Sequence, residues 1–161
     1  MVSVVTKLPE NGLLDQQGMQ SWLDGLATVR GSEDMLLLQE VCGFVSEGLE
    51  VLETEIRGRK LHHALAVGDI LNDLALDADT IAVAILHYTL SGIEAAHQQI
   101  GPRFGAGIAR LVQELDRIGL VAESSVGVTR RDEERHVENL RRMLLALADD
   151  IRVVLVVLAE R

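Results

Sequence analysis

Aromatic side chains are nearly absent from this 161-residue chain, which has one Trp, one Tyr and two Phe. That scarcity excludes a base-stacking platform of the kind that grips single-stranded nucleic acid. Cysteine is limited to Cys42, so there is no internal disulfide and no cysteine-based zinc site. Two prolines and little β-branched alternation argue against a sandwich or barrel. Basic residues number 15 against 25 acidic ones, and a net charge of −10 opposes binding to phosphate backbones, so no direct nucleic-acid contact is expected. Long apolar runs are missing too. The run Val153–Ala159 falls far short of a membrane span, and Met1–Lys7 lacks the basic start and apolar stretch of a secretory signal. The expectation is a cytoplasmic protein with no membrane partner.

What remains is rich in Leu, Ala, Glu and Arg, all good helix formers. Apolar residues make 48% and charged residues 25%, a globular balance that excludes a disordered chain. The length suits one domain with a sizeable core. Met19–Val29 predicts a short helix. Ser32 is read as the N-cap of a long helix, with Glu33 and Asp34 in its first turn and apolar residues from Leu37 to Ile56 at three- and four-residue intervals. Gly58 marks a break beside the basic knot Arg57, Arg59 and Lys60. A further helix is expected from about Leu61 to Leu74, with His63 near its start, and Asp77 caps another over Ala78 to about Leu90. That last segment is apolar on all sides, so it is a central helix, and His87 at its end emerges within the bundle. Gly101-Pro102 stops a short segment around Ile93 to Ile100, and Phe104 to Ile118 forms an amphipathic helix. Residues 120–130 read as a loop. A final helical stretch starts near Asp132, with a break at Asp149-Asp150. The fold class is all-α, one domain of six to eight helices. The pattern at Ala159-Glu160-Arg161 has no stop signal, which leads us to expect a piece of a longer protein.

Of the five histidines, His63 and His87 fall on adjacent helices in the same region. They are either two ligands of a divalent metal in a bundle core or hydrogen-bonded core histidines; two ligands alone are too few for a metal. Arg57, Arg59 and Lys60 read first as a solvated helix terminus rather than a phosphate clamp. Arg130 to Arg135 reads as an exposed, self-paired charged segment, and Arg141-Arg142 as a solvated face. No Gly-rich phosphate loop or nucleophile elbow is present.

Three segments resemble the N-terminal domain of the RelA/SpoT family, the bacterial enzymes that make and degrade the guanosine alarmones ppGpp and pppGpp. The first runs from His63-Ala64-Leu65-Ala66-Val67-Gly68-Asp69-Ile70-Leu71 through Leu76-Asp77-Ala78-Asp79-Thr80 to Ile85-Leu86-His87-Tyr88. The second is Phe104-Gly105 through Leu111-Val112 to Ile118-Gly119. The third and most specific is Asn139 to Arg161, with Arg141-Arg142-Met143-Leu144 and Asp150-Ile151-Arg152-Val153 leading into Leu158-Ala159-Glu160-Arg161. The resemblance assigns residues 31–161 to a degenerate HD-type hydrolase domain and leaves residues 1–30 unassigned. It implies an HD-type helical bundle that, in active members, removes pyrophosphate from the alarmone 3′ position with manganese held by two His and two Asp.

The carry-over is partial. His63 and His87 match the two histidines, but Tyr88 stands at the first Asp position and Glu160 at the second. Tyr88 cannot act as a carboxylate without losing the proton of a phenol whose pKa is about 10. Glu160 keeps the charge but shifts it by roughly one carbon–carbon bond, about 1.5 Å. The Glu-Asp pair that serves proton transfer in active hydrolases is replaced by Ser91 and Gly92, neither of which can act as a general base. Glu55 to His62 occupies the place of the nucleotide-shaping Arg-x-Ser-Gly-Glu-Pro-Tyr segment. The pattern resembles the RelA branch, whose members synthesise alarmones and carry an inactive hydrolase domain. It implies no metal, cofactor or catalytic residue in this stretch, and a structural or regulatory role toward a synthetase domain. By the same resemblance that neighbour would be a GTP pyrophosphokinase using magnesium, with other parts of the parent meeting the ribosome and uncharged tRNA. The alternative is a metal-dependent ppGpp 3′-pyrophosphohydrolase, or another HD phosphohydrolase, working through His63, His87 and Glu160. In the inactive reading the Tyr88 ring fills the metal's space and its hydroxyl pairs with His63, His87 or a backbone group.

Overall fold

The computed structural model describes residue 8 and residues 13–123 and 150–160, and every regular element among them is helical. Residues 124–149 lie outside the described residues, and with them the expected helix start at Asp132, the charged Arg130–Arg135 segment, Arg141-Arg142 and Asp149.

Helix α1 (Gln16–Leu26) begins where the Asp15 side chain accepts from the Gly18 backbone N–H at 2.8 Å. Its Trp22, Leu23 and Leu26 enter the core, with Trp22 fully buried. Helix α2 (Ser32–Gly48) starts one residue earlier than expected. Gly31 is its N-cap and Ser32 already its first residue, with no side-chain cap bond. The long helix foreseen through Ile56 is also divided. A 3-10 turn (Leu49–Val51) and extended backbone at Leu52 end it, and α3 (Thr54–Asp73) starts two residues later.

Gly58 is therefore not a break but an interior residue of α3. Its missing side chain lets another strand of backbone pass. The Leu14 N–H donates to the Gly58 carbonyl at 3.0 Å, and a Cβ on Gly58 would meet Leu14 O at 3.2 Å. The longer α3 puts His63 at mid-helix rather than near the start.

The end of α3 closes as a Schellman motif. Leu76 N–H donates to Leu71 O at 3.1 Å and Ala75 N–H to Asn72 O at 2.9 Å, with Ala75 in the left-handed region at φ 57°. Arg30 staples this corner. Its guanidinium donates to Asn72 Oδ1 (2.7 Å), Asp34 Oδ2 (3.0 Å) and Leu76 O (2.7 Å).

Asp77 then caps α4 (Ala78–Leu90), accepting from Thr80 N at 2.8 Å and Thr80 Oγ1 at 2.6 Å, as the sequence predicts. Helix α4 is buried from Ile81 through Leu86 and packs against α2, α3, α7 and the C-terminal helix, the place an all-round apolar helix must take. Two short helices follow, α5 (Glu94–His97) and α6 (Ile100–Phe104). Pro102 does not end the segment. It sits in the first turn of α6, where a missing N–H costs nothing. Gly105, at φ 90°, separates α6 from α7 (Ala106–Glu123), so Phe104 belongs to the shorter helix and stacks edge-on against Phe44. Asp150 precedes α8 (Ile151–Glu160) and accepts from Arg152 N at 3.0 Å, consistent with the break expected there. No helix among the described residues is long and apolar enough to cross a membrane.

Candidate functional site

The four positions singled out by resemblance come from three helices, and the fold brings them to one place. His63 lies on α3, His87 and Tyr88 close to the end of α4, and Glu160 at the end of α8. The Tyr88 ring stands edge-on to both imidazoles, with centroids 5.0 Å from His63 and 4.7 Å from His87. Its hydroxyl pairs with neither histidine nor with backbone. It donates to Glu160 Oε2 at 3.0 Å, while Glu160 Oε1 lies 3.9 Å from His63 Nε2. The ring is half-buried against the core rather than sunk within it. Burial, with the Glu160 carboxylate beside it, pushes the phenol pKa well above its ordinary value, so the oxygen stays protonated.

His87 faces a partner that sequence reading missed. Its Nδ1 is 2.8 Å from Asp116 Oδ1 on α7. A carboxylate accepts, so the hydrogen sits on Nδ1 and the ring orientation is fixed. His97 on α5 approaches the same carboxylate, its buried Nε2 2.8 Å from Asp116 Oδ2 but out of line for a hydrogen bond. Asp116 thus joins α4, α5 and α7. A lone Asp on an amphipathic helix reads as a solvated residue, and its partner lies 29 positions away. Only the apolar residues on either side, Leu115 and Ile118, hinted that this turn faces inward.

Ser91 and Gly92 follow directly on the end of α4. Ser91 is the C-cap of α4, and its carbonyl accepts from Lys60 Nζ at 2.9 Å. Gly92 turns the chain at φ 84°. The basic knot is not a terminus: Arg57, Arg59 and Lys60 lie inside the first half of α3. There Arg59 pairs with Glu55, Arg57 Nη2 donates to Leu52 O at 3.3 Å, and burial lowers the Lys60 pKa. Among the described residues no three His, Cys, Asp or Glu side chains converge as a metal-holding group.

The HD domain family matches residues 43–161. A GTP pyrophosphokinase rsh of Brucella ovis is 41% identical over 102 residues, covering 62% of this chain and 12% of that protein. A GTP pyrophosphokinase of Myxococcus xanthus is 38% identical over 101 residues, 63% of this chain and 13% of its own length. A guanosine-3′,5′-bis(diphosphate) 3′-pyrophosphohydrolase of Aquifex aeolicus is 35% identical over 99 residues, 62% of this chain and 13% of its own. The chain therefore spans only about an eighth of the length of the curated relatives it matches.

Proposed function

Because the chain belongs to the HD domain family, in its RelA/SpoT form, we propose that it is a catalytically inactive HD domain of a RelA-like GTP pyrophosphokinase, acting structurally and as a regulator on a synthetase domain. The observation that carries this reading is the Tyr88–Glu160 hydrogen bond. Two positions that supply metal-binding carboxylates in active hydrolases are here spent on each other. Tyr88 offers a neutral, protonated phenol where the active relatives place a carboxylate. The donor set does not fit the manganese of the active relatives. His87 has one ring nitrogen committed to Asp116, consistent with the core-histidine reading.

The proton-transfer positions point the same way. Ser91 presents its carbonyl to Lys60 and Gly92 has no side chain, so a water beside these two residues would find no general base in them. In the parent protein the synthetase would bring magnesium and its own nucleotide site, and ribosome and tRNA contacts would fall on other regions. The test is manganese-dependent release of pyrophosphate from ppGpp by the 161-residue chain. Release at the blank rate is expected. Release well above blank that disappears in His87→Ala would overturn the proposal and favour the metal-dependent hydrolase.

A further inference from the structure

Helix α8 has an unusual problem of placement. Val153, Val154 and Val156 are buried, yet Ile151 and Leu158 on other faces are 57% and 59% exposed. A helix apolar on several sides gains nearly as much burial in more than one rotation, so the hydrophobic effect alone specifies its setting poorly. Polar contacts at its ends must choose. At the N-terminal end, Arg152 binds Asp150 and lies 3.9 Å from Asp77, the cap of α4. At the C-terminal end, Glu160 accepts from Tyr88 on the same α4 and faces His63 on α3. Both anchors lie along α4, so α8 runs parallel to it.

We propose that Tyr88, Glu160 and the His63 ring form a metal-free clasp that sets the rotation and register of α8 on α3 and α4. It rests on the same departure from the hydrolase donor set as the function proposed above, but it concerns helix placement and needs no statement about catalysis. In a hydrolase-type site the bond between these helices runs through an ion. Here a phenol proton joins them directly, so the tie should be indifferent to divalent metal.

Amide hydrogen exchange of residues 153–158 in the 161-residue chain tests this, with and without manganese. Tyr88→Phe keeps the ring and removes the donor; Glu160→Ala removes the acceptor from a half-exposed position. Each is expected to speed exchange in α8 by about fivefold, the effect of one hydrogen bond. The double variant should be no faster than Glu160→Ala alone, because Tyr88→Phe removes no bond that Glu160→Ala leaves in place. The fluorescence of Trp22, the sole tryptophan, reports that the rest of the fold is intact. Exchange in Tyr88→Phe at the parent rate, additive effects in the double variant, or slowing of the parent by manganese would each overturn the clasp. None of these depends on whether ppGpp is hydrolysed, so the two proposals fail separately.

Discussion

Replacing Asp69 with Asn should make the protein more stable at neutral pH, and the reason lies in a poorly solvated carboxyl. Asp69 lies on α3, half-buried, with Trp22 Nε1 donating to its Oδ1 at 2.5 Å. Burial raises its pKa to about 6; the indole hydrogen bond opposes this, and Asp73 one turn along adds to it. In the unfolded chain the same group titrates near its ordinary 3.8. Between these values the folded state holds the extra proton, so stability falls as pH rises from about 4 to 6, and the penalty is complete above 6. At about 1.4 kcal/mol for each tenfold change in proton affinity the ceiling is about 3 kcal/mol. Screening by water at a half-exposed group reduces it to about 1 kcal/mol. Asn keeps an Oδ1 to accept from Trp22 and carries no charge. Urea unfolding followed by Trp22 fluorescence should show Asp69→Asn more stable than the parent by about 1 kcal/mol at pH 7.5. The advantage should vanish near pH 4. A variant less stable at pH 7.5, or a difference that does not change with pH, would refute the argument.

Arg30→Ala should cost about 2 to 4 kcal/mol in urea unfolding, since three acceptors lose a guanidinium whose side chain is only 9% exposed. Arg30→Lys should recover less than half of that loss, because an ammonium cannot reach three partners in one plane. Ala75→Gly should raise stability by about 0.5 to 1 kcal/mol, since Ala75 holds a left-handed backbone that glycine adopts without a Cβ clash. A lower unfolding midpoint in that variant would show that the loss of chain stiffness outweighs the relieved strain.

Much of the central architecture was legible because it rests on local rules. Asp77 followed by an apolar run announced α4 and both of its ends. The boundary between α2 and α3 was not, because the apolar periodicity continues to Ile56 while the real stop is extended backbone at Leu52. Gly58 looked like punctuation, yet its purpose is a backbone contact with Leu14, which no local pattern encodes. The site followed the same divide. Resemblance located His63, His87, Tyr88 and Glu160, and the fold gathers them. The Tyr88–Glu160 bond itself spans 72 residues and could not be read from spacing, and Asp116 was hidden for the same reason.

The seating of Trp22 has a consequence for synthesis. Its indole partner, Asp69, lies 47 residues further along the chain, and Arg30 waits for Asn72 and Leu76 at separations of 42 and 46. Helix α1 packs against α2 as well as α3, so it can begin to close once α2 has followed it, but the Trp22 hydrogen bond waits for α3. At about 5 to 20 residues per second this interval is roughly 2 to 10 seconds, during which the Trp22 indole N–H has only water for a partner. The seating of α1 is thus completed in two stages, apolar contact with α2 first and the polar ties of Trp22 and Arg30 to the end of α3 afterwards.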